Sequence, residues 1–423
     1  MRPHGCGALR RITAVIGIAL TAVFPVGGVA NAGDAIPGGT VDELLVLARQ
    51  LNPELAAKAL ESEAALARAS VAGALDDPMF RVAGETDRMN DDRFNKIVYS
   101  LEQEFPLWGK RHLRRQIAHA EAASVRNQQE IASVELDARI KTVFAQYWRA
   151  AREAEVTRDV QVLLGAVAES AQRRYAQGIG PQSDAIRSTL ERSRLDLAFA
   201  AVERSKRSAR GQLNALLARP PGAPLAEPVS LPLQPSADML DMDRLLDRAR
   251  HNNPMLASAS HEIAAAEDSR RLAEKNRYPD ISLGVGAIDR ENGPAGLMAS
   301  AGIRVPLQWG LRKTEIREAT LRAGAAQSRR DASLLQLQGG LEEALAGLQE
   351  VQQATALLTT SLQPLAQASY RSAMSGYQLG RGDVTAVLEA ARRIQEIRLE
   401  LLHAQAEQQV LLAGIERIIG GRL

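Results

Sequence analysis

The chain has 423 residues, with 52 lysines and arginines against 50 aspartates and glutamates, so its formal net charge is +2. This balance excludes a dedicated nucleic-acid-binding protein, whose affinity rests on excess basic charge, and a hydrophobic content of 45% excludes wholesale disorder. The single cysteine, Cys6, excludes an internal disulfide and the multi-cysteine zinc motifs.

Residues 1–32 have the residue order of a secretory signal. Three arginines precede an apolar run over 12–29, and an A-x-A cleavage site ends at Ala32. An N-terminal membrane helix is the alternative, but proline and glycine interrupt the run. We therefore expect an exported protein cleaved after Ala32, in which no later segment reaches the roughly 18 apolar residues of a membrane helix.

The remainder of the chain is a duplication. Four landmarks recur in the same order at offsets of 200–202 residues: Asn52-Pro53 as Asn253-Pro254, Pro78 as Pro279, the stretch 105–109 as 305–310, and Tyr175-x-x-Gly178-x-Gly180 as Tyr377-x-x-Gly380-x-Gly382. Such ordered self-similarity predicts two repeats of one design, 33–218 and 242–423. Six of the 18 prolines fall in 219–241, which we expect to be an extended crossover.

Each repeat is predicted to contain two β-strands. The strands are placed at 80–87, 96–107, 281–288 and 297–307. Apolar and polar residues alternate in these segments, which is the pattern of a strand with one apolar face. With polar turns at 88–93 and 289–294, the strand regions span 80–107 and 280–307.

Two very long helices follow each strand pair. They are predicted at 109–177, 183–218, 310–379 and 384–420. In the first, apolar residues recur at steps of three and four over 136–167, the stripe of a helix that packs along its length. At 1.5 Å per residue this helix would be roughly 100 Å long. The returning helix has its own stripe at Ile186, Leu190 and Leu197, and Pro364 is expected to kink the third helix.

The four strands raise a question of closure. Strands of about 10 residues match the length needed to cross a bilayer, but lipid admits strands only in closed barrels. Four strands cannot close a barrel, since about eight make the smallest useful one. The sequence therefore indicates either a non-membrane role for the strands or an oligomer that shares one barrel. Of two or three chains, only three plausibly leave an aqueous lumen.

In the membrane interpretation, the alternation divides each strand between lipid and lumen. The lipid-facing residues are Ile97, Tyr99, Leu101, Ile303 and Val305. The lumen-facing residues are Arg81, Glu85, Glu102, Glu104 and Arg304. Trp108 and Trp309 fall at the matching strand-to-helix junctions, a placement typical of an interfacial aromatic belt. Core packing at a domain junction is the alternative for both.

This organisation resembles the TolC family, the outer-membrane factors of tripartite efflux and type I secretion systems. The Asn-Pro-x-Leu motifs, the Pro-Leu-(Gln)-Trp-Gly junctions and the Tyr-x-x-Gly-x-Gly turns carry the resemblance over nearly all of 41–420. It implies a mainly α fold with a small β part, assembled as a homotrimer. A β-barrel of about 12 strands would sit in the outer membrane of a Gram-negative bacterium and continue into a periplasmic α-helical barrel.

The same resemblance implies a passive duct. A periplasmic adaptor and an inner-membrane pump would be its partners, and the pump would supply the energy. No catalytic or phosphate-binding motif is present, so we expect neither an enzyme nor a cofactor, and the histidine spacing predicts no metal site.

The turns between the long helices are the hairpin tips. Glycine permits the left-handed backbone that ends one helix before its return, and the acid before the last helix is expected to cap it. The resemblance implies that the tips form the periplasmic entrance and dock the adaptor. The tip residues are Tyr175, Gly178, Gly180, Gly380, Gly382 and Asp383.

The candidates for the entrance gate are Asp184, Tyr377, Arg381 and Glu389. By the resemblance, Asp184 bonds Tyr377 and helps to hold the entrance shut, a contact that we call the latch. Glu389 matches one of two constriction acids; the other falls on Ala386, and a family arginine of the latch falls on Gly382. A ring of three Glu389 carboxylates would concentrate cations. A helix N-terminal acid that complements the dipole is the alternative.

Several functions are compatible with this sequence. The stretch 105–111 and Asp77-Pro78 resemble the heavy-metal branch of efflux ducts, which work with RND-type pumps. A type I secretion duct for a polypeptide is the runner-up. A periplasmic coiled-coil scaffold or adaptor is a different class, but an adaptor should add small domains with many short strands, and only four strands are predicted.

Overall fold

A computed structural model describes residues 36–85, 96–290 and 294–423. The expected export signal at 1–32, the turn at 88–93 and residues 291–293 of the second turn lie outside this part of the chain. The described residues are mainly helical with one small sheet, which confirms the coarse fold class. Within them, no helix is both long enough and apolar enough to span a membrane.

The two repeats have the same order of elements. The first contains α1 (Val41–Leu51), α2 (Pro53–Val71), β1 (Met79–Glu85), β2 (Lys96–Phe105), α3 (Lys110–Ala176) and α4 (Gln182–Leu216). After a 3-10 turn at Ala237–Leu240, the second contains α5 (Met242–Asn252), α6 (Pro254–Lys275), β3 (Asp280–Arg290), β4 (Gly296–Arg304), α7 (Trp309–Leu357), α8 (Gln363–Gln378) and α9 (Val384–Ile419). With 67 residues, α3 is about 100 Å long.

The repeated Asn-Pro motif starts the second helix of each repeat. The Asn52 side-chain oxygen accepts hydrogen bonds from two backbone N–H groups in the first turn of α2 (2.9 and 3.3 Å), and the proline that follows has no N–H to satisfy. The amide of Asn52 also donates to the carbonyl of Leu216 at the end of α4 (2.9 Å). Asn253 makes the equivalent bonds, with the carbonyl of Ile418 as its partner (2.6 Å). The motif therefore ties the returning helix of each repeat back to its start.

The four strands form one antiparallel sheet in the order β1-β2-β3-β4. The pairing of β2 with β3 joins the two repeats, with Lys96 opposite Arg290 and Phe105 opposite Ile281. The register places the five predicted lumen residues on one face and the predicted lipid residues of β2 and β4 on the other. The alternation in the sequence is thus confirmed. On the apolar face the side chains are open to the surroundings, and Leu297 is 94% exposed.

Two strands are shorter than predicted. β2 ends at Phe105 and β4 ends at Arg304, so Val305, predicted as a lipid-facing strand residue, lies beyond the sheet. Pro106 and Pro306 follow these ends, and proline has no N–H to donate to a neighbouring strand. The prediction placed both ends too far along the chain because apolar residues continue past the last paired position.

Packing confirms the predicted stripe of α3. Leu136, Ile140 and Tyr147 lie in a core cluster with residues of α1 and α4. Val160 and Val167 lie in a second cluster with residues of α8 and α9. The helix thus packs against other helices in both of these parts of its length, as the steps of three and four residues predict.

The predicted apolar stripe lies on α4, but Ile186, Leu190 and Leu197 are exposed rather than packed within the chain. The residues that α4 buries near its start form a largely polar face instead: Asp184, Ser188, Glu191 and Leu195. Periodicity identifies the apolar face of a helix, but it does not tell whether the partner of that face belongs to the same chain. Within the described residues, the apolar stripe of α4 has no partner.

The third long helix is interrupted rather than continuous over 310–379. α7 ends at Leu357, a π-helical segment covers Leu358–Leu362, and α8 begins at Gln363. Pro364 has no N–H to donate to the preceding turn, so the interruption falls where a proline effect is expected.

We predict that Asn253→Ala destabilises the second repeat. The substitution removes the cap of α6 and the tie to α9 at a site that is 4% exposed, where water cannot replace the lost bonds. The free energy of unfolding should fall by about 1–2 kcal/mol, as measured by urea denaturation followed by circular dichroism. Asn253→Ser, which keeps a capping oxygen, should lose less, and equal losses would contradict the capping role.

Candidate functional site

At the junction between the sheet and the long helices, a buried ion pair joins the two repeats. The ammonium of Lys110, a residue that is 3% exposed, donates to Asp280 Oδ2 (2.7 Å) and to the carbonyl of Tyr278 (2.9 Å). The other Asp280 oxygen accepts from the backbone N–H of Leu107 (2.9 Å). Each charge is thus compensated where α3 leaves the sheet. No motif in the sequence marks this pair.

The two junction tryptophans differ in their surroundings. The indole N–H of Trp108 donates to the carbonyl of Pro279 (2.8 Å), and the Trp108 ring centre lies 5.2 Å from that of Tyr278. Trp309 is 70% exposed. Both rings remain accessible in one chain, and their place in an interfacial aromatic belt stays a prediction.

The polar face of the sheet carries ion pairs among the predicted lumen residues. Arg304 donates to Glu104 across β3 (2.5 Å), and Lys96 pairs with Glu85. Glu104 and Arg304 occupy equivalent positions of the two repeats, 200 residues apart. Arg81 and Glu102 share this face without forming an ion pair within the described residues. The face is therefore charged, with both signs interspersed.

Both hairpin tips turn through a left-handed glycine. Gly178 has φ +70° and Gly380 has φ +71°, a conformation that residues with a Cβ rarely adopt. Gly382 is needed for space instead, because a Cβ there would lie 3.0 Å from the backbone nitrogen of Tyr377. The Asp383 side chain accepts from a backbone N–H in the first turn of α9 (3.3 Å), which confirms the predicted cap.

Asp184 and Tyr377 are both buried where the two hairpins meet, at 8% and 2% exposure. Burial raises the pKa of the Asp184 carboxyl above its ordinary value, and the charge of Asp383 raises it further, although two arginines oppose the shift. Burial also raises the pKa of the Tyr377 hydroxyl, as does the charge of Asp184. Within the described residues no hydrogen bond joins the two side chains, so the latch stays a prediction.

The arginine that contacts Tyr377 is Arg174, near the end of α3. Its guanidinium carbon lies 5.0 Å from the centre of the Tyr377 ring, and the group donates to the Tyr377 carbonyl (3.1 Å). Arg381, the sequence candidate, is exposed, and its side chain makes no hydrogen bond or ion pair within the described ranges. Sequence analysis missed Arg174 because the fold brings it from 203 residues away.

A second cluster that sequence analysis missed lies two turns beyond Asp184 on α4. Arg392 of α9 donates through Nε to one oxygen of Glu191 (2.6 Å) and pairs through another nitrogen with the second oxygen. Arg194 donates to Glu191 as well (2.8 Å). The hydrogen bond from Arg392 holds the pKa of Glu191 below its ordinary value. The sequence contained one indication of this pair. Glu191 and Arg392 have opposite charges and lie 201 residues apart, which is within the offset that relates the two repeats.

Glu389 is exposed on α9, one turn before Arg392. It borders a groove of about 390 Å³ between α4 and α9, which Glu191 and Arg392 also line. Ala386, where the resemblance places the second constriction acid, is exposed one turn earlier. Among the residues that the structure describes, no three His, Cys, Asp or Glu side chains come together as a metal site.

Comparison with protein families gives one match, in two segments. Residues 44–219 and 245–421 each match the family model described as outer membrane efflux protein, so each repeat has its own match. A relative from Cupriavidus metallidurans, named cobalt-zinc-cadmium resistance protein CzcC, is 24% identical over 389 residues, which are 90% of this chain and 90% of the relative.

Solved structures share the fold. VceC, an outer membrane protein of Vibrio cholerae, superposes with a TM-score of 0.78 at 18% identity and covers 90% of this chain and 96% of its own. CusC, described as undergoing folding and transmembrane channel formation, gives a TM-score of 0.77 at 16% identity, with 91% and 93% covered. At these identities the likeness establishes the arrangement of the elements.

We predict that Lys110→Met is strongly destabilising, because it leaves the partly buried carboxylate of Asp280 without its counter-charge. The free energy of unfolding should fall by about 3 kcal/mol, as measured by urea denaturation. Adding Asp280→Asn to Lys110→Met should recover part of the loss, since the neutral side chain needs no counter-ion. A double variant less stable than the single one would contradict this account.

We predict that Asp184 costs stability at neutral pH. Because the folded state raises its pKa, its favourable contribution is complete below the ordinary carboxyl pKa and is lost as pH rises through the raised value. Asp184→Asn should therefore melt at a higher temperature than wild type at pH 7, with the difference disappearing at about pH 3. Asp331→Asn, which removes a carboxylate from an exposed site on α7, is the control for the loss of one negative charge. A melting temperature of Asp184→Asn that is below that of wild type at every pH would contradict the prediction.

Proposed function

Because the chain belongs to the outer membrane efflux protein family, we propose that it is the outer-membrane exit duct of a tripartite efflux system. In this proposal it acts as a passive, trimeric channel that spans the outer membrane of a Gram-negative bacterium and extends into the periplasm. A periplasmic adaptor and an inner-membrane pump of the RND type complete the system.

The open sheet is the observation that supports the proposed trimer most directly. Its two edge strands, β1 and β4, each have one unpaired side within the described chain, and its apolar face is exposed. In lipid such edges leave backbone groups unsatisfied, so the sheet must close with other copies. Three copies of four strands give a barrel large enough for an aqueous lumen, whereas two copies give the smallest barrel, which side chains fill.

The apolar stripe of α4 supports the same assembly. Ile186, Leu190 and Leu197 are exposed and follow one line along the helix. A neighbouring copy would cover them, and the long helices of three copies would then form one periplasmic tube. The length of α3, about 100 Å, would set how far that tube extends into the periplasm.

The hairpin tips support docking of an adaptor. Ile179 on one tip and Leu379 on the other are 62% and 68% exposed, and Tyr175 is exposed as well. Exposed apolar residues at the far end of a long assembly are typical of a surface that meets another protein. The latch between Asp184 and Tyr377 would hold this entrance shut until the partners engage.

We propose heavy-metal cations as the cargo. The relative from Cupriavidus metallidurans is named for cobalt, zinc and cadmium resistance and aligns over most of both chains. Glu389 at the entrance would favour cations over anions. Deleting the gene should lower the tolerance of cells to these three metals, and unchanged tolerance would remove the cargo assignment while leaving the duct.

The duct itself is tested on purified mature protein. We expect the mass of a trimer in detergent and discrete, cation-selective conductance in planar bilayers. Glu389→Gln should shift the reversal potential toward lower cation selectivity, because it removes the proposed ring of carboxylates. Glu61→Gln, on α2, removes the same charge from an exposed site and should leave the reversal potential unchanged. A soluble monomer without conductance would overturn the proposal.

A further inference from the structure

We infer that Glu191 and Arg392 form a lock between α4 and α9 that holds the periplasmic entrance in its resting arrangement. The inference rests on the proposed channel function and adds two residues that neither the resemblance nor the family match assigns. The lock lies beside the predicted gate, since Glu191 is two turns beyond Asp184 and Arg392 is one turn beyond Glu389.

The geometry of the pair is that of a strong ionic contact. Arg392 engages both oxygens of Glu191, with its Nε 2.6 Å from one of them. Such two-point contacts fix the orientation of both side chains as well as their distance. The Glu191 side chain is only 9% exposed, so water competes poorly for its oxygens. Most surface ion pairs contribute little, and the burial of Glu191 separates the lock from them, with Arg392 reaching it through a side chain that is 45% exposed.

The composition of the interface explains why the lock matters. The apolar cluster at the tips draws its residues from α3, α8 and α9, and α4 contributes only Leu195 among its buried members. Near the tips, the side-chain hydrogen bonds between α4 and α9 are the lock itself and one from Arg187 to the hydroxyl of Thr385 (2.8 Å), among the described residues. Because the face that α4 buries near its start is largely polar, these polar bonds contribute to the position of α9 against α4.

The lock also connects the two repeats. Glu191 belongs to the hairpin of the first repeat and Arg392 to that of the second, so the pair must break for one hairpin to move away from the other. Arg194, on the same helix as Glu191, can still neutralise it when Arg392 leaves. Separation of the hairpins therefore does not leave the buried Glu191 carboxylate without a counter-charge. The contact is thus suited to reversible opening.

The experiment records single channels of the purified protein in planar bilayers. Glu191→Gln and Arg392→Gln should each raise the open fraction at least about fivefold, although they remove opposite charges. A purely electrostatic effect on ion flow would instead move the two variants in opposite directions. The double variant should match the single ones, because residues that act as one unit give non-additive effects.

Two further variants sharpen the test. Arg392→Lys keeps the charge but loses the two-point contact, so it should also raise the open fraction while folding and assembling normally. Arg393→Gln removes the same charge from the next residue of α9, where the side chain pairs with Glu396 of its own helix, and should conduct like wild type.

The possible failures are distinguishable. Wild-type protein that forms no channels would overturn the proposed function. Wild-type channels that share their open fraction with Glu191→Gln, Arg392→Gln and Arg392→Lys would overturn the lock alone and leave the channel standing.

Discussion

Unpaired backbone groups at the edges of a sheet are the constraint on which this molecule depends. One chain supplies four strands, and its first and last strands each have an N–H and C=O row without a partner in the described residues. Water can satisfy such groups, but lipid cannot. The exposed apolar face of the same sheet is unfavourable in water and favourable in lipid. Copies of the chain can satisfy both requirements at once by sharing a barrel, and this is the physical basis of the proposed trimer.

Duplication gives the two repeats a common frame, and a few charged residues make them different. The Asn-Pro motif works the same way in both, as cap and as tie. Lys110 and Asp280, by contrast, have apolar residues at the equivalent positions of the other repeat. Glu104 with Arg304, and Glu191 with Arg392, place opposite charges at positions about one repeat apart. Divergence after duplication has thus produced contacts that join the repeats at the sheet, at the junction and at the tips.

Sequence analysis succeeded where a feature depends on neighbouring residues. The alternation of Tyr99, Leu101 and Phe105 with Ser100, Glu102 and Glu104 indicated the two faces of β2, because successive side chains along a strand point to opposite faces. The left-handed turn at Gly178 followed from the absence of a Cβ. The stripe predicted on α4 could not be given a partner in this way, and Ile186 and Leu190 are exposed in the single chain. A periodic stripe does not identify its partner, and in the proposed trimer a neighbouring copy would be that partner.

By itself, the sequence determined the duplication, the coarse α and β composition, the faces of the strands and the turning points of the hairpins. Tertiary structure alone decided which arginine reaches Tyr377, which carboxylate Lys110 neutralises and which helix Glu191 is tied to. The physical reason is one of range. Local rules govern residues within about a turn or a strand pair of each other, whereas these contacts join residues about 170–200 positions apart, and the relative positions of packed helices decide them.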